Sequence, residues 1–344
     1  MAELDTASVN PSGAGRVLIA AEMDRQHADA LASFATANPV ATQIAASVRR
    51  TGRLALLGMG GSHWVNRTAA FSYRRLGIEV QSEVLSEVLL APLPNYPRTV
   101  ILTSQSGGSG EILAYLTTAA RREERFGLTL NAESAMAQSV PSLIGAGGME
   151  KAFAATRSIL ISQSLHMAVL AVLGADPAAA LGQLRSPIRP TIAAALSALS
   201  GCSSYVLSGR SELQGVAESG ALCLMELARV PAFAFEGGQL RHGPMEMLSH
   251  RTGVILLRLP GREADLMPNL AAACQAAGCP LVVFDTSGRP PIGSVLTIAL
   301  PALDGMAACF AVLPVLQLLL VELAAQKVEQ LGVPLRSSKV TTVL

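Results

Sequence analysis

The segment Thr99-Val100-Ile101-Leu102-Thr103-Ser104-Gln105-Ser106-Gly107-Gly108-Ser109-Gly110-Glu111 constrains this chain more than any other. An apolar, β-branched run enters a turn of hydroxyls and glycines, after which Glu111-Ile112-Leu113-Ala114-Tyr115-Leu116 takes helical spacing. Strand, small-residue turn and helix N-terminus in that order form a βα unit whose strand belongs in a buried parallel sheet. The same order makes an anion site. Loop amides and the unpaired N–H groups of the first helical turn converge, Ser104, Ser106 and Ser109 add hydroxyl donors, and the glycines let the backbone approach. No Lys or Arg lies in the loop, so amides and hydroxyls would hold the anion. An ordinary βα turn is the alternative reading.

The rest of the chain repeats this alternation. A helical pattern runs from Val17 to Val48, interrupted near Asn38-Pro39, and Arg53–Leu57 reads as a short buried strand entering a second glycine-serine turn, Gly58–Ser62. A helix to Arg75, a strand over Glu79–Ser86, a loop over Pro92–Pro97, the strand described above and a further strand over Gly127–Asn131 follow. Gly145–Gly148 reads as loop and Lys151–Leu173 as a long apolar helix. Asp176-Pro177 marks a boundary, and the order then starts again with a helix over Thr191–Leu199 and a strand at Ser204–Leu207. A helix from about Glu212 to Ala228 comes next, then strands at Ala232–Phe235, Gly253–Leu257, Pro280–Asp285 and Ser294–Leu300, and a closing helix over Gly305–Leu331. Such alternation predicts parallel sheets covered by helices on both faces. The two halves read as a tandem duplication, with a mobile tail over 1–15, units over 16–176 and 177–331, and a C-terminal tail over 332–344. Where the first copy has Ser104, Gln105 and Ser106, the second has Arg258, Leu259 and Pro260, so one phosphate site per chain is expected.

Composition limits the partners. Net charge is +1 with no basic stretch, which argues against nucleic acid. The five cysteines form no CxxC pair and read as reduced thiols of a cytoplasmic protein; no signal peptide is evident. Met306–Val321 is apolar but short of a span and contains Pro314 and Gln317, so a buried helix is expected rather than a membrane segment. No His/Cys/Asp cluster has metal spacing, and no metal or cofactor is expected.

Several stretches taken in order resemble the sugar isomerase (SIS) family. They are Gly58–Ser62, Ser86-Glu87, Ser104–Ser109, Glu150–Arg157, Gly220-Ala221-Leu222 through Glu226, Gly238-Gln239-Leu240-Arg241-His242-Gly243-Pro244, and Ser338-Lys339. From about Glu22 onward the chain is similar to double-SIS proteins, specifically the isomerase half of glucosamine-6-phosphate synthases and the related stand-alone deaminases. The resemblance implies an α/β fold of two tandem flavodoxin-like domains, each a five-stranded parallel sheet flanked by helices, in a homodimer. It implies that Ser62, Ser104, Gln105, Ser106 and Ser109 bind a sugar phosphate. It places Glu226 at the C1–C2 proton-transfer position, His242 at the ring-opening position, donated across the dimer interface, and Lys339 in the C-terminal loop that closes over the sugar.

The residues themselves bear on these roles. Glu226 sits near the end of an apolar helix, where burial and the helix dipole would raise its pKa as suits a general base; an exposed terminal charge is the alternative. An imidazole in the Gly- and Pro-bounded His242 loop can pass protons to a ring oxygen. Arg241 reads as structural or interfacial, His63 as a pocket or helix-start residue, and His166 as core; Glu150 and Glu246 stay outside the catalytic set.

Against the family pattern, Cys223 replaces a lysine near the sugar, Gly61 a threonine, Gly108 a glutamate and Ala155 a serine. The phosphate contacts are thus retained while those around C1 and C2 are rebuilt, and Cys223 would leave room for a larger amine. With no cysteine before Cys202, this chain alone is not expected to carry glutamine-dependent synthesis. The leading expectation is a glucosamine-6-phosphate deaminase. The alternatives are an aldose–ketose phosphosugar isomerase, a fructosamine-6-phosphate deglycase, and a sugar-phosphate sensor without turnover.

Overall fold

The computed structural model describes residues 13–120 and 122–341. Most of the expected tail, residues 1–12, lies outside the described residues, as does Thr342 onward. The last expected tail residues, Ala14 and Gly15, already belong to the first helix, where Gly15 is buried.

The first half runs α1 (Ala14–Thr36), α2 (Asn38–Thr51), β1 (Arg53–Gly58), α3 (Gly60–Arg75), β2 (Glu79–Val84), α4 (Leu85–Leu90), β3 (Arg98–Thr103), α5 (Gly110–Thr117), β4 (Glu123–Thr129), α6 (Ala135–Ser139), β5 (Ser142–Ile144) and α7 (Arg157–Leu173). The second runs α8 (Ala178–Arg185), α9 (Ala193–Leu199), β6 (Ser204–Gly209), α10 (Glu212–Leu227), β7 (Ala232–Glu236), α11 (Gly237–Leu240), β8 (Thr252–Arg258), α12 (Arg262–Ala276), β9 (Leu281–Asp285), β10 (Leu296–Ala299) and α13 (Gly305–Ala325). The strands form two five-stranded parallel sheets, ordered β2-β1-β3-β4-β5 and β10-β9-β8-β6-β7. Read from its other edge and renumbered, the second order is the same as the first. The fold is therefore the expected pair of α/β units. Every residue of the interior strands β3, β8 and β9 is buried, as continuous apolar strands require, while the edge strand β2 is mostly half-exposed.

One hydrophobic core spans both sheets. Helix α10 packs on α3, so closely that a Cβ on Gly215 would lie 2.3 Å from Thr68 Oγ1. Arg67 bonds Glu218 at 2.7 Å, and buried Glu212 accepts from Ser72 at 2.9 Å and Arg75 at 3.0 Å, joining the same helices. Helix α13 is long and apolar enough to cross a membrane, but 83% of its most apolar window is buried inside the protein.

Local differences from the expectations have identifiable causes. Helix α7 begins at Arg157, not Lys151: burial alternates residue by residue from Lys151 to Thr156, the period of extended chain. Helix α13 ends at Ala325 rather than Leu331; just beyond it, Lys327 Nζ donates to the carbonyls of Ser200 (3.2 Å) and Cys202 (2.7 Å). Strand β2 stops at Val84, and Ser86 lies in α4, whose Leu85 and Val88 are buried at helical spacing. Strand β4 starts four residues early, at Glu123, because its polar first residues are paired: Arg125 bonds Glu123 and lies over the Tyr115 ring. Helices α6, α8 and α12 and the three-residue strand β5 were not anticipated.

Candidate active site

In the first sheet the chain leaves β1 and β3 in opposite directions, and these strands are adjacent, with Gly58 opposite Thr103. A sheet of this order opens a crevice at the carboxyl ends of those two strands. Both hydroxyl-glycine turns open there, with α3 and α5 starting directly behind them.

The Ser104–Ser109 turn is pinned to β4 and to α6. Ser104 N–H donates to Leu128 O, and Gln105 O accepts from Leu130 N–H and Thr129 Oγ1. Gly107 holds φ +62°, and a Cβ there would lie 2.3 Å from Ser134 Oγ, so both its conformation and its space require glycine. Ser104 Oγ accepts from Gly107 N–H, and Ser106 Oγ from Gly108 N–H. Among the described residues, the Gln105 side-chain amide nitrogen and one carboxylate oxygen of Glu111 are buried with no protein partner. A buried amide without an acceptor is costly unless a ligand or water meets it.

A cleft of about 460 Å³ opens over this turn. It is lined by Ser62, Ser104, Gln105, Ser106 and Ser109 at one side, and by Glu226 and Lys339 at the other. The C-terminal segment crosses it, tied by Gly110 N–H donating to Thr341 O at 3.1 Å. The expected anion donors and two of the three expected catalytic side chains thus share one cavity. His242 does not line it. It is exposed in the turn after α11, its N–H bonded to Gln239 O.

Glu226 is the penultimate residue of α10 and half-buried. Burial pushes its carboxyl up to about 7; Lys339 pulls it down and Glu150 adds to the rise. Glu150 is the neighbour that sequence reasoning set aside. Its Oε1 accepts from Thr156 N–H (2.9 Å), Thr156 Oγ1 (3.0 Å) and Arg157 N–H (2.8 Å), so it caps the start of α7 from outside the helix. Its Oε2 accepts from Ser158 Oγ (2.5 Å) and from Lys339 Nζ (3.2 Å). Lys339 also donates to Phe153 O at 3.3 Å. The signal for Glu150 lay in its spacing from Thr156-Arg157, an acid six and seven residues ahead of two free helix-start amides. Arg157, fully buried, then locks this start to α1 through Glu22 (2.5 Å) and Asp29 (2.9 Å).

Other expected residues lie elsewhere. Cys223 is buried and lines a small pocket that shares Ala155 and Ile159 with the cleft, while Cys223 itself is not among the cleft-lining residues. His63 is buried outside the cleft, its imidazole pushed down to about 4 by burial and by Arg67. His166 is core, as expected: Tyr73 Oη and His166 Nδ1 are 3.2 Å apart, and His166 Nε2 and Asn66 Oδ1 likewise. Asn66 Oδ1 also accepts from Thr103 Oγ1 at 2.7 Å, at the lip of the cleft. Where the second copy has Arg258, the guanidinium is buried and donates to Asp285 Oδ2, Pro290 O and Ala264 O.

Residues 198–327 match the family described as SIS domain. These residues are a SIS domain. The chain is also homologous to glutamine–fructose-6-phosphate aminotransferase (isomerizing) of Rhizobium meliloti, 28% identical over 72% of this chain and 44% of that protein. It spans about half the length of the curated relatives it matches. Among solved structures, tagatose-6-phosphate ketose/aldose isomerase of Escherichia coli superposes with a TM-score of 0.74 at 17% identity, covering 92% of this chain and 96% of that one. Glucosamine-6-phosphate deaminase of Thermotoga maritima gives 0.70 at 19% identity, covering 92% and 100%. At these identities the structures establish the shared SIS architecture. Sequence and fold thus relate the chain to the isomerase half of the aminotransferase.

Proposed function

We propose that the chain moves a proton between C1 and C2 of a phosphosugar carrying nitrogen at that end, and releases the amine. The leading reaction is glucosamine 6-phosphate and water to fructose 6-phosphate and ammonia. The observation that carries it is a carboxyl raised to about 7, Glu226, across the same cleft from a turn of amide and hydroxyl donors. A general base titrating near neutrality is matched to its task.

In this reading Ser62, Ser104, Gln105, Ser106 and Ser109 hold the phosphate, with the unpartnered Gln105 amide as one donor. His242 of a second copy assists ring opening in a homodimer; its exposure and its absence from its own cleft favour donation across an interface. The Glu226 carboxylate takes the C2 proton, giving an enolamine, and returns it to C1. The resulting C2 imine adds water, the C2–N bond breaks, and ammonia leaves. Lys339 holds the open chain. Glu111 and Glu226, which line the cleft, make it favourable to a protonated amine. Buried Arg258 fills the corresponding turn of the second sheet, which supports one phosphate site per chain.

The test is ammonia release from glucosamine 6-phosphate by the purified protein. Glu226→Gln is expected to lower it by about 10²–10⁴-fold. A wild-type protein that yields no ammonia sinks the deaminase assignment. The second reading is an aldose–ketose isomerase, because Glu226 serves C1–C2 transfer equally without nitrogen; a panel of ketose and aldose phosphates separates the two.

A further inference from the structure

A pocket of about 210 Å³ lies where the two SIS units meet, and it shares no lining residue with the cleft. One wall is α1 of the first unit; the other is α13 of the second, with the connection between α8 and α9. Met23, Ile188, Val315 and Leu318 give it an apolar body. Four polar side chains line the same space: Asp24, Gln26 and His27 from α1 and Arg189 from the connection. Gln26 is only 2% exposed, yet among the described residues its side-chain oxygen is buried with no partner. A buried acceptor left open is costly unless a donor from a ligand or water meets it. Arg16 and Glu322, also in the lining, bond each other at 2.9 Å, but among the described residues neither Asp24 nor Arg189 has an ion-pair partner. Burial and the Arg189 guanidinium lower the His27 pKa, which leaves a neutral imidazole able to donate an N–H.

The pocket therefore offers acceptors to a cation, donors to an anion and an apolar surface to a side chain. That set matches an ammonium and a carboxylate carried on one carbon. Its volume is on the scale of the roughly 150 Å³ cavity that holds benzene, so it suits a ligand of about six to ten non-hydrogen atoms, the size of leucine or methionine. Both walls also hold one corner of the cleft. From α1, Glu22 accepts from Lys151 N–H at 2.7 Å and Arg157 Nε at 2.5 Å, and Asp29 accepts from Arg157 Nη1 at 2.9 Å. From α13, Gln317 Nε2 donates to Thr156 O at 3.0 Å. Glu150, which takes the Thr156 and Arg157 amides on one oxygen, takes Lys339 on the other. A ligand seated between α1 and α13 acts on two supports of that corner at once.

We propose that this pocket binds an apolar α-amino acid as an effector, its carboxylate on Arg189 and His27 and its ammonium on Gln26 Oε1 and Asp24. Occupancy stiffens the Glu150–Lys339 corner. The consequence for turnover rests on the reading of the cleft as a phosphosugar site; the binding does not.

The experiment is calorimetric titration of the full chain with leucine, with leucinamide and 4-methylpentanoate as probes lacking the carboxylate and the ammonium. Leucine is expected to bind with Kd of about 1 mM or below, and each probe about tenfold or more weaker, the value of a charge-assisted hydrogen bond. Arg189→Gln is expected to weaken leucine about tenfold and leave leucinamide unchanged; Arg189 is exposed, so no core packing is lost. Gln26→Leu removes the open acceptor, so it is expected to be at least as stable as wild type while binding leucine more weakly and 4-methylpentanoate no worse. Saturating leucine is expected to slow hydrogen exchange of the Thr156 and Arg157 amides about fivefold or more, and to move the KM for glucosamine 6-phosphate by a similar factor. No leucine binding at about 10 mM, affinity unchanged in both variants, or unchanged amide exchange at saturation overturns the proposal, as does a KM that leucine leaves in place. Leucine affinity that falls as protein concentration rises marks a second copy as the occupant and overturns it too. Absence of ammonia release with and without leucine overturns the phosphosugar reading alone, because titration and exchange decide the amino-acid site without it.

Discussion

Two neighbours pull the Glu226 carboxyl in opposite directions, and that opposition can be measured. Burial and Glu150 raise it and Lys339 lowers it, for a net value of about 7. Removing Lys339 as Lys339→Met takes away the lowering charge, so the Glu226 pKa moves upward, on the order of one unit for an adjacent opposite charge. Replacing Glu150 with Gln takes away a negative neighbour and moves it downward. On the proposed mechanism the base acts ionised, so the acid limb of the kcat/KM profile lies near pH 7 in the wild type. It shifts to higher pH in Lys339→Met and to lower pH in Glu150→Gln. Absolute rates fall in both variants, because Lys339 also contacts substrate and Glu150 caps α7; the position of the limb isolates the electrostatic part. Profiles from pH 5 to 9 at fixed ionic strength, with glucosamine 6-phosphate, are the assay. A wild-type limb at an ordinary carboxylate value, or shifts of the same sign in both variants, refutes the reasoning.

Other consequences follow from the same geometry. A carboxyl whose folded pKa lies above its unfolded value makes the native state bind the extra proton, so Glu226 costs stability once the pH passes about 7; Glu226→Gln is expected to be more stable than wild type at pH 8, by on the order of 1 kcal/mol after allowance for its partial exposure, measured by urea unfolding. His166 has the opposite effect at acid pH. Its imidazole is held down to about 3 by burial, the unfolded chain binds the extra proton, and stability falls as pH drops from about 6.5 toward 3, at up to about 1.4 kcal/mol per pH unit. A flat stability profile between pH 6.5 and 4.5 in the Glu226→Gln background, where the opposing carboxyl slope is gone, contradicts this. Gly107→Ala places a Cβ 2.3 Å from Ser134 Oγ at a positive φ and is expected to cost about 1–3 kcal/mol and to weaken phosphosugar binding in calorimetry; unchanged affinity argues against the turn as the phosphate anchor.

The sheets were legible in the sequence because interior parallel strands are buried on both faces and read as apolar runs. Thr99–Thr103 and Gly253–Leu257 are such runs, and both are central strands. Pairing hid what sits at the edges. The polar start of β4 is satisfied by Arg125 and Tyr115, contacts that no local pattern announces, and β5 is too short to show a period. The segment 151–156 misled for a different reason. Its alanines suit a helix by propensity, but Glu150 takes the amides of Thr156 and Arg157 and sets the helix start there. The cleft was legible at its anion end, since Ser104 to Ser109 are contiguous in the chain. The other end was legible for Glu226 and Lys339 through a family likeness, while Glu150, signalled by its spacing from Thr156-Arg157, was passed over. These residues come together only when α10, the start of α7 and the C-terminal segment meet.

The central claim is proton transfer between C1 and C2 by Glu226, and solvent exchange tests it without regard to which amine departs. Fructose 6-phosphate and glucosamine 6-phosphate are each incubated with the protein in deuterium oxide, and the C1 and C2 positions are followed by proton NMR. The account predicts deuterium incorporation at the exchanging carbon with wild-type protein and its loss in Glu226→Gln. Exchange that persists in Glu226→Gln, or a wild-type protein that binds both sugars and exchanges neither, contradicts it.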